Sequence, residues 1–151
     1  MPYTVGEMAR RLGVAPSTLR YYDKEGLLPF VERSDGGIRM FKESDYEWLT
    51  VIECLKQSGL SIKEIRRYID LCREGDATIP ERLKLFVNRR RAVQQQMAQL
   101  QKTLAMLDYK LWYYETSDAA GTTSIHDGQT VEDIPPEHRA AFTHAQGHGE
   151  N

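Results

Sequence analysis

The feature that most constrains this chain is a run of apolar residues recurring every three and four positions in alternation. Leu83, Phe86, Arg90, Val93, Met97, Leu100, Leu104, Leu107, Leu111 and Tyr114 keep this step, and nine of the ten are apolar. A strand repeats every two residues and a straight surface helix every 3.6, whereas a mean step of 3.5 is the seam of a coiled coil. A helix from about 79 to 116 at 1.5 Å per residue is about 50 Å long. One small head cannot cover that length, so a second copy of the chain is the expected partner over residues 81–116. Arg90 interrupts the seam, as a register device or as a contact with the other subunit's head.

Upstream of the rod the chain is punctuated. Four Ser/Thr-x-x-Glu boxes occur, Thr4/Glu7, Ser44/Glu47, Ser61/Glu64 and Thr78/Glu81. In each, the hydroxyl can accept from an early helix N–H while the glutamate reaches back. Pro16 suits a first helical turn, and Gly26 and Gly59 suit stops. The spacing predicts helices over about 4–12, 16–25, 44–58 and 61–72, with a hairpin over about 29–41 turning at Asp35-Gly36-Gly37. A polar joint covers 73–80. The segment 117–151 is rich in Gly, Thr, His, Asp and Pro and is expected to be a flexible acidic tail.

Composition excludes several classes. With 40% hydrophobic and 28% charged residues and no long apolar run, no membrane span is expected. The Met1-Pro2-Tyr3-Thr4 start has no basic and apolar leader pattern. Cys54 and Cys72 are the only cysteines and fit no disulfide or zinc spacing. A reduced, cytoplasmic protein is the expectation, with no cofactor. No Gly-rich phosphate loop, nucleophile elbow or catalytic carboxylate pair is present, so an enzyme is not expected. The net charge of −2 is unevenly spread: residues 118–151 hold one basic residue against six acidic ones and carry −5, leaving +3 on the remainder. A basic body is what a nucleic-acid binder needs.

The first two helices carry the chemistry. Val5–Val14 offers an apolar face and then the Gly13 turn, and Pro16–Glu25 follows directly, which is the helix-turn-helix pattern. Ser17 and Thr18 can approach bases or phosphates, Arg20 can fork onto guanine or phosphate, and Tyr21 and Tyr22 can bond backbone oxygens. Adjacent helical positions cannot share a face, so one tyrosine is expected inside and one outside. The hairpin puts Arg33 and Arg39 on its two strands and ends at Phe41, a wing suited to the phosphate backbone. Thr4 and Lys63, at the starts of the first and fourth helices, complete the candidate DNA-contacting set. The competing reading is a protein–protein adaptor that works through its coiled coil and whose head reads nothing. Such an adaptor has no need of arginines on both the helix and the wing.

The elements Leu19-Arg20-Tyr21-Tyr22-Asp23-Lys24-Glu25-Gly26-Leu27-Leu28-Pro29, Gly37-Ile38-Arg39-Met40-Phe41 and Ser58-Gly59-Leu60-Ser61-Ile62-Lys63-Glu64-Ile65 resemble the MerR family of regulators over about residues 3–116. The resemblance implies a mostly α fold: a winged helix-turn-helix with a second helix pair (1–72) and a long antiparallel coiled-coil dimerisation helix. It also implies promoter operators with overlong spacers that the dimer twists for RNA polymerase. Phe41 stands where the family commonly has tyrosine.

The signal is less legible. Segment 73–151 has no cysteine, which argues against a thiolate metal site of the kind metal-sensing members carry. His126, His138, His144 and His148 are irregularly spaced in a polar segment and are read as solvated rather than metal-binding. A narrower resemblance, through Glu53-Cys54-Leu55-Lys56-Gln57-Ser58-Gly59 and Glu74-Gly75-Asp76, is to the subgroup responsive to aldehydes and nitrosothiols. That resemblance makes Cys54 the sensor thiol and implies a stress-response role. Cys54 also falls within the expected apolar face of Leu49, Ile52 and Leu55, so a buried cysteine acting as a small hydrophobe stays open beside it.

Overall fold

The computed structural model describes residues 1–147 and divides into two compact units, 1–90 and the residues from 91 onward. In the first unit α1 (Val5–Leu12) and α2 (Pro16–Lys24) precede a two-stranded wing, β1 (Glu32–Arg33) and β2 (Arg39–Met40), followed by α3 (Glu43–Gln57) and α4 (Ile62–Glu74). Then α5 spans Ile79–Ala120 and α6 Arg139–Gly147.

Capping chemistry sets the ends of α1 and α4. Glu7 N–H donates to Thr4 Oγ1 (3.2 Å) and Thr4 N–H to Glu7 Oε2 (2.8 Å); Ser61 and Glu64 repeat the exchange at 3.2 Å each way. Such caps contribute about 1 kcal/mol each. Gly13, at φ +72°, ends α1 in the left-handed region that only glycine enters freely.

Two expected boxes do not form. Helix α3 starts one residue before the expected Ser44, so Ser44 lies inside its first turn. Buried Asp45 instead accepts the Lys42 N–H at 2.8 Å. Thr78 closes a 3-10 turn, Asp76–Thr78, and its hydroxyl donates to Leu71 O (2.6 Å) while accepting from Arg82 Nε (3.0 Å). Thr78 therefore ties the joint back onto α4 rather than capping with Glu81.

The head has one core. Met8 and Ala9 of α1, Leu19 and Tyr22 of α2, and Leu27 and Leu28 meet Leu49, Ile52 and Leu55 of α3 and Ile65 and Ile69 of α4. The wing pairs Glu32 with Met40 and Arg33 with Arg39, antiparallel. Its base is pinned by Tyr3, whose N–H donates to Phe41 O (2.7 Å) and whose carbonyl accepts from Phe41 N–H (3.0 Å).

The segment after the rod is folded over the described residues, against the expectation of a flexible tail. Helix α5 continues to Ala120, and three 3-10 turns lead into α6. Ile134 and Ala141 are buried against Tyr109, with Met106, Trp112 and Phe142 around them. The segment is polar on average, but its few apolar side chains converge on one aromatic patch of α5. At 100° per residue, that patch lies on the side of α5 opposite Leu100, Leu104, Leu107 and Leu111. The seam is therefore uncovered in the single chain: those four leucines are 57–68% exposed. His148 lies outside the described residues.

Candidate nucleic-acid interface

Helix α2 sorts its side chains by phase. Leu19 and Tyr22 point into the core, while Ser17, Arg20, Tyr21 and Lys24, spaced three and four apart, form an exposed stripe. Thr18 is half-buried beside it. The adjacent tyrosines divide as helix geometry requires: Tyr21 is 48% exposed and Tyr22 0%. Tyr22 OH donates to Glu53 Oε1 and accepts from Lys56 Nζ (3.1 Å). Burial and the Glu53 carboxylate push its phenol well above the usual tyrosine range. Tyr22 is thus a core strut between α2 and α3 and is withdrawn from the DNA-contacting set. Phe41 is withdrawn for the same reason, since its ring is fully buried under the Tyr3 bridge. Lys24 joins the set; its i+4 spacing from Arg20 and i+7 from Ser17 was the signal in the sequence.

The wing is bound to α2 through one carboxylate. Asp23 Oδ2 accepts from Arg33 Nη2 (2.6 Å) and from Arg39 Nε (2.7 Å), and Arg33 Nη1 donates to Gly37 O (3.0 Å) across the turn. Both arginines remain at the surface, Arg39 the more covered. Thr4 Oγ1 accepts the Glu7 N–H of the α1 cap, which leaves its O–H to donate, and Lys63 is exposed in the first turn of α4. Arg11 grips Glu43 with both Nη groups and lies 4.0 Å over the Tyr46 ring, joining α1 to α3. That grip holds the Glu43 carboxyl below the usual carboxylate range.

Cys54 is exposed. It lies off the Leu49, Ile52, Leu55 stripe, which removes the buried-hydrophobe reading. Its neighbours Glu53 and Lys56 both contact Tyr22 on α2. Cys72 is half-buried near Arg82, and the nearby Tyr68 phenol is pushed up to about 12, by burial first and by the Cys72 thiol second.

The histidines divide between interior and surface. His126 is not a solvated tail residue: it stacks on Tyr113 at 4.1 Å, and its ring nitrogens lie 2.8 Å from Gln129 Oε1 and 3.0 Å from Tyr113 O. His138 packs beside Tyr109 and Trp112, and His144 is exposed. Among the described residues no group of three or more His, Cys, Asp or Glu is placed to hold a metal ion.

A helix-turn-helix with an arginine-bearing wing, followed by a long helix with an apolar seam, defines a winged-helix regulator of transcription. Residues 3–72 match the family described as MerR HTH family regulatory protein and residues 46–109 that described as MerR, DNA binding. An HTH-type transcriptional regulator of Haemophilus influenzae is 44% identical over 122 residues, covering 81% of this chain and 90% of that protein. The regulator AdhR of Bacillus subtilis is 38% identical over 86 residues, 57% of this chain and 61% of AdhR. Among solved structures, HiNmlR, a MerR family regulator lacking the sensor domain, bound to promoter DNA, is 43% identical with a TM-score of 0.74. That match covers 83% of this chain and 99% of HiNmlR. The chain belongs to the MerR family of transcription regulators. The adaptor reading is not favoured. No helix among the described residues is long and apolar enough to cross a membrane.

Proposed function

We propose that the protein binds a promoter operator as a homodimer, with residues 1–72 as the DNA-binding head, 73–80 as the joint and 81–116 as the dimerisation helix. On this reading it is a cytoplasmic regulator and not an enzyme, and it changes the shape of the promoter for RNA polymerase. The observation that carries the reading is the exposed stripe Ser17, Arg20, Tyr21 and Lys24 on α2 beside the wing arginines Arg33 and Arg39. It is the layout of a helix for the major groove flanked by a phosphate-binding arm. The DNA in the HiNmlR structure supports it. Thr4, Thr18 and Lys63 are assigned to phosphates at the margin.

The test is Arg20→Ala in a salt-titrated binding assay. Affinity for the operator is expected to fall by about 1–3 kcal/mol, and, if Arg20 meets a phosphate, the salt slope by about one. Unchanged affinity and slope in a folded variant would remove α2 from the interface.

A second reading concerns the signal. Cys54 is exposed, and its helical neighbours brace Tyr22, so an adduct there can perturb α2 through Glu53 and Lys56. It is proposed as the thiol that meets an electrophile such as an aldehyde. A thiol reagent is expected to modify Cys54 in the native protein faster than Cys72, as read by peptide mass mapping. Cys54→Ser is expected to keep operator binding and lose the aldehyde response of a promoter reporter. A full response in that variant ends the thiol reading.

A further inference from the structure

We infer that Asp23 is a positioning residue for DNA recognition, holding the wing at a fixed distance and angle from α2 through both wing arginines. The inference rests on the DNA-binding reading above and adds a residue that the reading does not use.

Each wing strand is only two residues long, and a hairpin of that size has no stability of its own in water. Its base is secured by the Tyr3 and Phe41 bonds. Towards its tip, Arg33 and Arg39 are direct cross-strand partners, where like charges repel. Asp23 resolves that conflict. One carboxylate oxygen takes a hydrogen bond from each arginine, at 2.6 and 2.7 Å, and charge-assisted bonds of this kind are the strong ones. The side chain of Asp23 is 19% exposed, so water screens the pair less than at an open surface. Because Asp23 sits in the last turn of α2, next to the exposed stripe, the same two bonds set where the wing stands relative to Arg20, Tyr21 and Lys24.

The arrangement keeps the arginines useful. Arg39 commits Nε to Asp23, and its Nη groups make no hydrogen bond among the described residues; they are left to fork onto a phosphate. Two guanidinium charges against one carboxylate keep the cluster cationic. Contacts to phosphates set the register of a protein on the duplex, so two arms held at one spacing favour the duplex geometry that matches it. Freed arginines would still attract DNA, but any DNA.

That difference makes the test. An operator duplex is first selected from random sequence by binding to the full-length wild type, and a scrambled duplex of the same length serves as control. Asp23→Asn removes a negative charge near DNA, so affinity for the scrambled duplex is expected to rise. The ratio of operator to scrambled affinity is expected to fall by about tenfold, as for the loss of a coupled pair. In an Arg33→Ala/Arg39→Ala background the same substitution is expected to leave the ratio unchanged, because Asp23 acts through those arginines.

Three results would overturn the inference. An equal rise on both duplexes means a plain surface charge, and a raised ratio means that Asp23 masks the arginines from phosphate. A full loss of ratio in the double-alanine background means that it acts elsewhere. If Asp23→Asn does not fold by thermal melt, Asp23→Glu replaces it: a reduced ratio at unchanged melting temperature supports positioning, and an unchanged ratio overturns it. A wild type that selects no operator at all would instead refute the DNA-binding reading, so the two failures are distinct.

Discussion

Leu100→Glu together with Leu104→Glu is expected to convert the protein to a monomer and to abolish operator binding in the same step. Both leucines are more than half exposed in the single chain and belong to a seam with a 3.5-residue mean step, so neither contributes to the fold of its own subunit. Fully burying a leucine in an interface contributes about 1.5–3 kcal/mol. In a homodimer each site counts twice, and the glutamates would add desolvated like charges where the leucines met. Operator binding falls with assembly because each head meets only one half-site. Joining the heads makes the second contact intramolecular, an advantage of about 10²–10⁴. Light scattering and fluorescence anisotropy on one sample read both quantities. A monodisperse dimer would remove the seam from the interface, and a monomer with wild-type operator affinity would separate binding from assembly.

Ile134→Asp is expected to detach residues 121–147 from α5 while leaving dimerisation and operator affinity within a factor of about two. Ile134 is 1% exposed and is the most buried side chain of that segment. An unpaired carboxylate in its place costs several kcal/mol, more than a few buried apolar groups return. The aromatic patch of α5 that the segment covers, Tyr109 and Trp112, would then meet water. Limited proteolysis within 121–138 and a red shift of Trp112 emission, read in a Trp48→Phe background, would report the release. The seam occupies the other side of α5, which is why assembly is expected to survive. Protection from protease equal to the wild type would show that the segment is held by something other than this patch, and a collapsed dimer would show that the two sides are not independent.

Much of this is legible in the sequence. The boxes at Thr4 and Ser61, the Asp35-Gly36-Gly37 turn and the seam each carry their own local chemistry, and local chemistry is what a sequence states directly. The exposure of Cys54 is also legible, against its expected placement within the face of Leu49, Ile52 and Leu55. A stripe through 49, 52 and 55 places position 54 nearly half a turn away, and phase, not proximity in sequence, decides burial. The division between Tyr21 and Tyr22 was readable only as a division, because one helix does not reveal which side meets the core. The folded segment after α5 was hidden because composition averages over a stretch in which a few side chains, Ile134, Ala141 and Phe142 with the rings of His126 and His138, do the packing. The Asp23 cluster joins residues 10 and 16 positions apart through a fold that no local pattern encodes.

The two-sided second half of α5 bears on how substitutions will be tolerated. Neighbouring positions such as Met106 and Leu107 answer to different events, one to the folding of a single subunit and the other to the meeting of two. In a saturation scan of residues 97–116, sensitivity would trace two waves along the helix, offset by about half a turn. Concentration would tell them apart. The Leu107 wave would fade as expression rises, because mass action restores a weakened dimer, while the Met106 wave would persist at any level.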